Sequence, residues 1–204
     1  MREGEPLKKT KKSLHRSDIL KEKCNFGIQM YKLTNPFIWL RLIRHRCGYG
    51  VHSPFAFRFI TDVLYMKLPY YAYEELDKGL AFKDTFRVRK ILHMLLRVSN
   101  WRQPETIVCL SAPVDVASFL QAGCRKARLT DHIPEGEADM CWLSEPNDEI
   151  ISHLREHSVL ILDHLDKHKE WFGNLPSVVS FDLYDTGIAF FNTKYNKQHY
   201  IVNF

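Results

Sequence analysis

Two hydrophobic patterns divide the chain. Before residue 105, apolar residues recur every three or four positions, which is typical of helices with one buried face. From Thr106 onward, short unbroken apolar runs alternate with helical stretches. The patterns predict an N-terminal helical segment over residues 35–104, followed by an α/β domain over residues 105–204.

The helical part carries clear start and stop signals. Ser53 is a good N-cap residue, and Pro54 suits the first turn of a helix because it needs no backbone N–H there. The apolar face that follows stops near Pro69. Further helices are predicted over residues 74–80 and 88–98, the second with the clearest apolar stripe in the sequence.

The second part predicts a sheet with helical crossovers. Unbroken apolar runs suit parallel strands that are buried on both faces, and residues 115–121, 148–157 and 167–173 are predicted to be crossover helices. The turn signal at residues 185–187 predicts that the last strands are antiparallel. Strands are predicted at Thr106–Leu110, Arg128–Thr130, Met140–Leu143, Val159–Leu162, Val178–Leu183, Gly187–Phe191 and Tyr200–Val202.

The charge is distributed unevenly along the 204 residues. The whole chain has a net charge of +5; residues 1–50 hold 12 basic and 4 acidic side chains, or +8, which leaves −3 for residues 51–204. Because the folded part would be mildly acidic, no nucleic-acid partner is predicted. Residues 1–34 are predicted to form a basic flexible arm. The basic amphipathic stretch over residues 37–46 is predicted either to pack on the protein or to make weak contact with a membrane surface.

Cysteine usage and hydropathy predict the compartment. Five cysteines are odd in number and scattered, without the close pairs of a zinc or redox motif. The sequence has no apolar stretch of membrane-spanning length and no recognisable signal peptide. A cytoplasmic, reducing location is the expectation.

Several motifs resemble a known family. They occur in the same order as in a bacterial group of class I S-adenosylmethionine (SAM)-dependent methyltransferase-like proteins, which is similar to O-methyltransferases of the catechol type. The resemblance covers roughly residues 35–204. It rests on GYGVHSPFAF at 48–57, PYYAYEE at 69–75, SFDL at 180–183, GIAFF at 187–191 and KQHY at 197–200.

The resemblance implies a fold and a set of site residues. The fold is a reduced Rossmann-like class I methyltransferase sheet, with parallel strands ending in antiparallel strands and N-terminal helices before it. SAM is the implied cofactor, and Ser111, Asp131 and Ser144 stand at strand ends where the family binds it. Asp163 and His164 would lie near a methyl acceptor as electrostatic partner or base.

The same alignment identifies departures from the family. Cys109 occupies the place of an acidic residue, and Ser111 and Asp115 replace two glycines of the turn that lets the cofactor approach the backbone. No metal is predicted, because Ser144 and Asp163 provide one carboxylate where a magnesium site needs more. A helix and a strand of the cofactor-binding half are expected to be absent or reduced around residues 125–139.

Three functional hypotheses follow. In the first, the protein is a methyltransferase-like descendant whose cofactor site has decayed, with little or no methyl transfer and a remaining role in binding a small molecule or protein partner. In the second, it is an active small-molecule O-methyltransferase with an unconventional SAM site. In the third, it is a peripheral membrane or partner-binding module that uses the basic N-terminus.

Overall fold

The computed structural model describes residues 50–80 and 86–204. The predicted basic arm at 1–34 and the amphipathic stretch at 37–46 lie outside these described residues. Within them, an α-helical layer precedes a seven-stranded sheet.

The helical layer begins where the sequence predicts. Helix α1 spans Pro54–Arg58, and the Ser53 side chain accepts a hydrogen bond from the Ala56 backbone N–H at 3.4 Å. A π-helical segment, Phe59–Leu64, continues α1, and two longer helices follow: α2 at Tyr71–Gly79 and α3 at Phe86–Arg102.

Arg97 of α3 stabilises the end of the π-helical segment. Its guanidinium is buried and donates to the carbonyls of Val63 at 2.7 Å and Leu64 at 3.0 Å, and to the Tyr73 hydroxyl at 3.2 Å. A helix C-terminus leaves carbonyls without intrahelical donors, and a cation is the favoured partner for them. Arg97 therefore joins the π-helical segment, α2 and α3.

Every predicted strand overlaps an observed one. The strands are β1 at Thr106–Leu110, β2 at Arg128–Thr130, β3 at Ala138–Leu143, β4 at Leu154–Asp163, β5 at Val179–Asp182, β6 at Thr186–Phe190 and β7 at Gln198–Ile201. Helix α4 (Val114–Gly123) connects β1 to β2, and helix α5 (Leu165–Asn174) connects β4 to β5.

The predicted helix over residues 148–157 is wrong. The structure has a short 3-10 helix at Glu149–His153, and β4 already begins at Leu154. Leu154 pairs with Ala138, and the buried Ser158 hydroxyl accepts from the Arg155 N–H and donates to the Ala138 carbonyl. Strand pairing therefore outweighs the helical pattern in this segment.

The sheet has the order β2-β1-β3-β4-β6-β5-β7 and is mostly parallel. Its two antiparallel pairings join β6 to β4 and to β5, which confirms an α/β fold with antiparallel strands toward one side. The last strand differs from the prediction, because β7 pairs parallel with β5. The β2–β3 connection, residues 131–137, contains no helix.

Helices cover both faces of the sheet. One face packs its apolar side chains, among them Ile107, Trp142 and Phe181, against the π-helical segment, α3 and α4. The other face packs Val108, Leu160 and their neighbours against α5 and the 3-10 helix. The N-terminal helices thus share a continuous core with the sheet. Among residues 50–80 and 86–204, no helix has the length and apolar character needed to cross a bilayer.

Candidate functional site

The strand order changes direction at β1, and this change indicates where a ligand would bind. β1 pairs with β2 on one side and with β3 on the other, although both follow it in the chain. Ligands of open α/β sheets bind at such a change of direction, outside the carboxyl ends of the strands. The candidate site is therefore the carboxyl edge of β2, β1, β3 and β4.

Three predicted site residues lie at the same level on this edge. Leu110 pairs with Leu143, and Leu143 pairs with Leu162, so the next residues along the three strands are Ser111, Ser144 and Asp163. Neighbouring strands lie about 4.8 Å apart, so these backbone positions span about 10 Å across the sheet. The register thus brings together residues that are far apart in sequence.

Asp131 follows β2 and lies two residues lower on the edge than Ser111. Thr130 pairs with Val108, which places Asp131 at the level of Cys109. The Asp131 carboxylate is 3.0 Å from Nδ1 of His132, and this hydrogen bond is the main cause that lowers the pKa of Asp131. Both side chains are largely exposed. Asp131 is therefore available to a ligand as a carboxylate.

A groove of about 1040 Å³ opens beside Asp131. The ends of β1 and β2, helix α4 and the 131–136 loop form its walls, with Cys109, Ala117, Thr130, Asp131, His132 and Glu135 among the lining residues. Ser111, Ser144, Asp163 and His164 do not line it. The structure therefore places one of the five predicted site residues in the groove and the other four elsewhere on the same edge.

The turn after β1 has an unusual backbone. Ser111 has a φ of 55°, in the left-handed region that favours glycine. Helix α4 begins two residues after Ala112 with Pro113 as its N-cap, which makes no side-chain capping bond, and Asp115 lies in the first turn. The N-terminus of α4 thus combines a positive helix dipole with a carboxylate of its own.

Cys109 borders the groove as an unreactive thiol. Its side chain is almost fully buried, and burial raises its pKa to about 12. The thiolate is the nucleophilic form of cysteine, so a thiol with this pKa is a poor nucleophile at neutral pH. Cysteine chemistry at this position is not expected.

Asp163 and His164 form a local turn at the end of β4. The Asp163 carboxylate accepts a hydrogen bond from the His164 backbone N–H at 2.9 Å, and His164 has a φ of 51° as the residue before α5. His164 is exposed and Asp163 half-buried. The contact shown joins neighbouring residues just before α5, which has no side-chain capping bond, and both residues remain predictions as catalytic groups.

A second polar cluster was missed by the sequence analysis. Ser180 and Asp182 of β5, His199 of β7 and Lys169 of α5 surround a smaller cavity on the α5 face of the sheet. Alternation along β5 was a usable signal, because Ser180 and Asp182 must share one face while Val179 and Phe181 share the other. Among residues 50–80 and 86–204, no three His, Cys, Asp or Glu side chains are grouped in a way that would hold a metal ion.

Comparison with known proteins adds no family assignment. No protein-family model matches the chain, and no curated protein matches it in sequence.

Proposed function

We propose that this chain is a methyltransferase-like protein whose SAM site has decayed, and that it binds a small molecule or a protein partner with little or no methyl transfer. The turn after β1 carries the proposal. Ser111 retains the left-handed backbone that a glycine turn uses, while it adds a side chain at the closest approach to the strand end.

The charge at the N-terminus of α4 supports the same proposal. A SAM carboxylate would be attracted by the free N–H groups of a helix N-terminus. Pro113 contributes no N–H, and Asp115 in the first turn repels a second carboxylate. These residues do not fit the amino-acid end of SAM, so no catalytic step is derived through it.

The test is a calorimetric titration with SAM and S-adenosylhomocysteine, with and without magnesium. We expect no heat and no thermal stabilisation at millimolar ligand. The double variant Ser111→Gly, Asp115→Asn should gain affinity, because it removes the added side chain and the repulsive charge; Glu145→Gln, which lies beyond the end of β3, is the matched control for lost charge. Binding by the unchanged protein in the micromolar range would refute decay.

Asp131 favours a second candidate, an active O-methyltransferase. A carboxylate at the end of the second strand can accept hydrogen bonds from ribose hydroxyls. Asp131 has this position, and the groove beside it is slightly larger than the usual range of ligand sites. This candidate predicts methyl transfer to hydroxylated aromatic acceptors, detected by product mass, that Asp163→Asn or His164→Gln reduces. Absence of any product across such acceptors would exclude it.

The basic N-terminus supports a third candidate, a contact with anionic membrane surfaces. Its net charge of +8 over residues 1–50 would attract anionic lipid in a salt-dependent way. The expected result is sedimentation with phosphatidylserine vesicles at low salt and release at high salt. Equal binding to neutral phosphatidylcholine vesicles, or no binding at low salt, would contradict it.

A further inference from the structure

The cavity on the α5 face of the sheet has the properties of a built binding site. It has a volume of about 390 Å³, which is within the range of about 300–1,000 Å³ that small-molecule sites occupy. It lies between α5 and the strands β5 and β7, at the opposite side of the sheet from β2 and β1. It is therefore separate from the groove described above.

Two buried polar side chains face this cavity. Ser180 is 8% exposed and Asp182 is 6% exposed, although most residues on the same face of the sheet are apolar. Burial of a polar side chain is unfavourable unless hydrogen bonds compensate for it. Their position beside a cavity, on a face that is otherwise largely apolar, is consistent with a role in binding.

Each of these side chains is held in a fixed position. The Ser180 hydroxyl lies 2.8 Å from Nδ1 of His199, its direct partner in the paired strands. The Asp182 carboxylate accepts from Nζ of Lys169 at 3.0 Å and from the Tyr184 backbone N–H at 2.7 Å. The donors and acceptors are thus positioned before any ligand arrives.

The charges around the cavity favour an anion. Lys169 offsets the negative charge of Asp182, and Lys197 adds a second ammonium group at the cavity wall. Ser180 and His199 add hydrogen-bonding groups to the lining, and Leu165 and the largely buried Phe172 provide its apolar part. A lysine ammonium binds a phosphate or carboxylate through charge-assisted hydrogen bonds.

We propose that this cavity binds a small organic anion, in which a phosphate or carboxylate group contacts Lys197, Ser180 and His199 and a compact apolar part packs on Phe172. The serine–histidine contact serves binding in this proposal.

The probes are phenyl phosphate, benzoate, inorganic phosphate and neutral benzyl alcohol. Each is titrated into the full chain while the imidazole signals of His199 are followed by NMR. We expect saturable shifts with phenyl phosphate or benzoate, weaker ones with inorganic phosphate, and none with benzyl alcohol. If inorganic phosphate binds as well as phenyl phosphate, the apolar part of the proposal is wrong. If no anion shifts His199 at millimolar concentration, the whole proposal is wrong.

Two lysines of the connection between β6 and β7 provide a matched pair of variants. Lys197→Met should weaken phenyl phosphate binding about tenfold, since a charge-assisted hydrogen bond is lost. Lys194→Met removes the same charge from a residue that does not line the cavity and should change affinity less than about twofold. Both positions are exposed, so neither variant endangers folding. Equal weakening by the two variants would mean a non-specific charge effect and would overturn the site.

Discussion

The two cavities, one at the β1–β2 end of the sheet and one at the β5–β7 end, differ in how exposed their aspartate side chains are. On the β1–β2 side, the larger groove is bordered by Asp131, whose side chain is 95% exposed. On the β5–β7 side, the smaller cavity is bordered by Asp182, whose side chain is buried and paired with Lys169. Burial and pairing, more than volume, therefore distinguish a preorganised site from an open surface.

The two aspartates differ in exposure because a loop follows β2, whereas helix α5 covers the sheet near β5. β2 has three residues, lies at the edge of the sheet and is followed by a loop without a helix. β5 lies inside the sheet, and the α5 residue Phe172 packs against neighbouring β6. A helix over a strand excludes water from the side chains beneath it, and the pairing of charges there becomes stronger.

The largest expected loss of stability comes from replacing a closely packed glycine on each side of the sheet with alanine. A Cβ at Gly123 of α4 would lie 2.4 Å from the Leu96 carbonyl oxygen of α3, and backbone cannot move aside. Gly123→Ala should therefore lower the free energy of unfolding by about 2–3 kcal/mol, net of the better helix propensity of alanine. Urea unfolding of the purified protein measures it.

Gly187→Ala is the comparison on the other side. Its Cβ would lie 2.7 Å from the Phe172 ring, a side chain that can shift toward the cavity. The expected loss is about 1 kcal/mol. If Gly187→Ala proves the more destabilising variant, the β5–β7 side is the more tightly packed of the two.

The next effect compares the two carboxylates. Asp182→Asn weakens two hydrogen bonds of a buried group and should cost about 1–3 kcal/mol of unfolding free energy. Asp131→Asn changes an exposed group and should leave the free energy of unfolding nearly unchanged. Paired urea titrations test this, and similar losses for the two variants would contradict the assignment of the buried site to the β5 side.

The smallest effect concerns the titration of Asp131. The hydrogen bond to His132 lowers the pKa of this carboxyl, so NMR titration should give a value below that of an ordinary aspartate, and His132→Ala should raise it. A lowered folded-state pKa stabilises the fold above the unfolded pKa, and this stabilisation disappears as the pH falls through the folded pKa. Full exposure makes the contribution too small to appear in unfolding curves. A pKa that is unchanged by His132→Ala would show that the contact is not formed in solution.

The local signals of the sequence were sufficient for most elements. Ser53 and Pro54 start a helix at the predicted place, and seven apolar runs became seven strands. The π-helical segment was not predicted from the local pattern, and its last carbonyls accept hydrogen bonds from Arg97, more than 30 residues away. The helix predicted over residues 148–157 was wrong because a distant contact, the pairing of Leu154 with Ala138, decides the conformation there.

The residues at the carboxyl edge of β1, β3 and β4 could be predicted from the sequence, whereas the cavity beside β5 and β7 could not. Ser111, Ser144 and Asp163 each follow an apolar run, so their common edge can be inferred from the rule that parallel strands end together. The contact between Ser180 and His199 depends on the parallel pairing of β7 with β5, whereas the sequence predicts antiparallel strands there. A wrong strand direction changes which residues face each other, and the second cavity was therefore missed.

The position of β6 has a consequence for the order in which the sheet assembles. β6 separates β4 from β5, although it follows both in the chain. The β5–β6 hairpin closes over a three-residue turn, and hairpins form in about 1–10 μs. It can therefore form alone and then dock on β4. Until it docks, the apolar edge of β4 around Leu160 is open to pairing with another chain, and the newly made protein is most liable to aggregate in that interval.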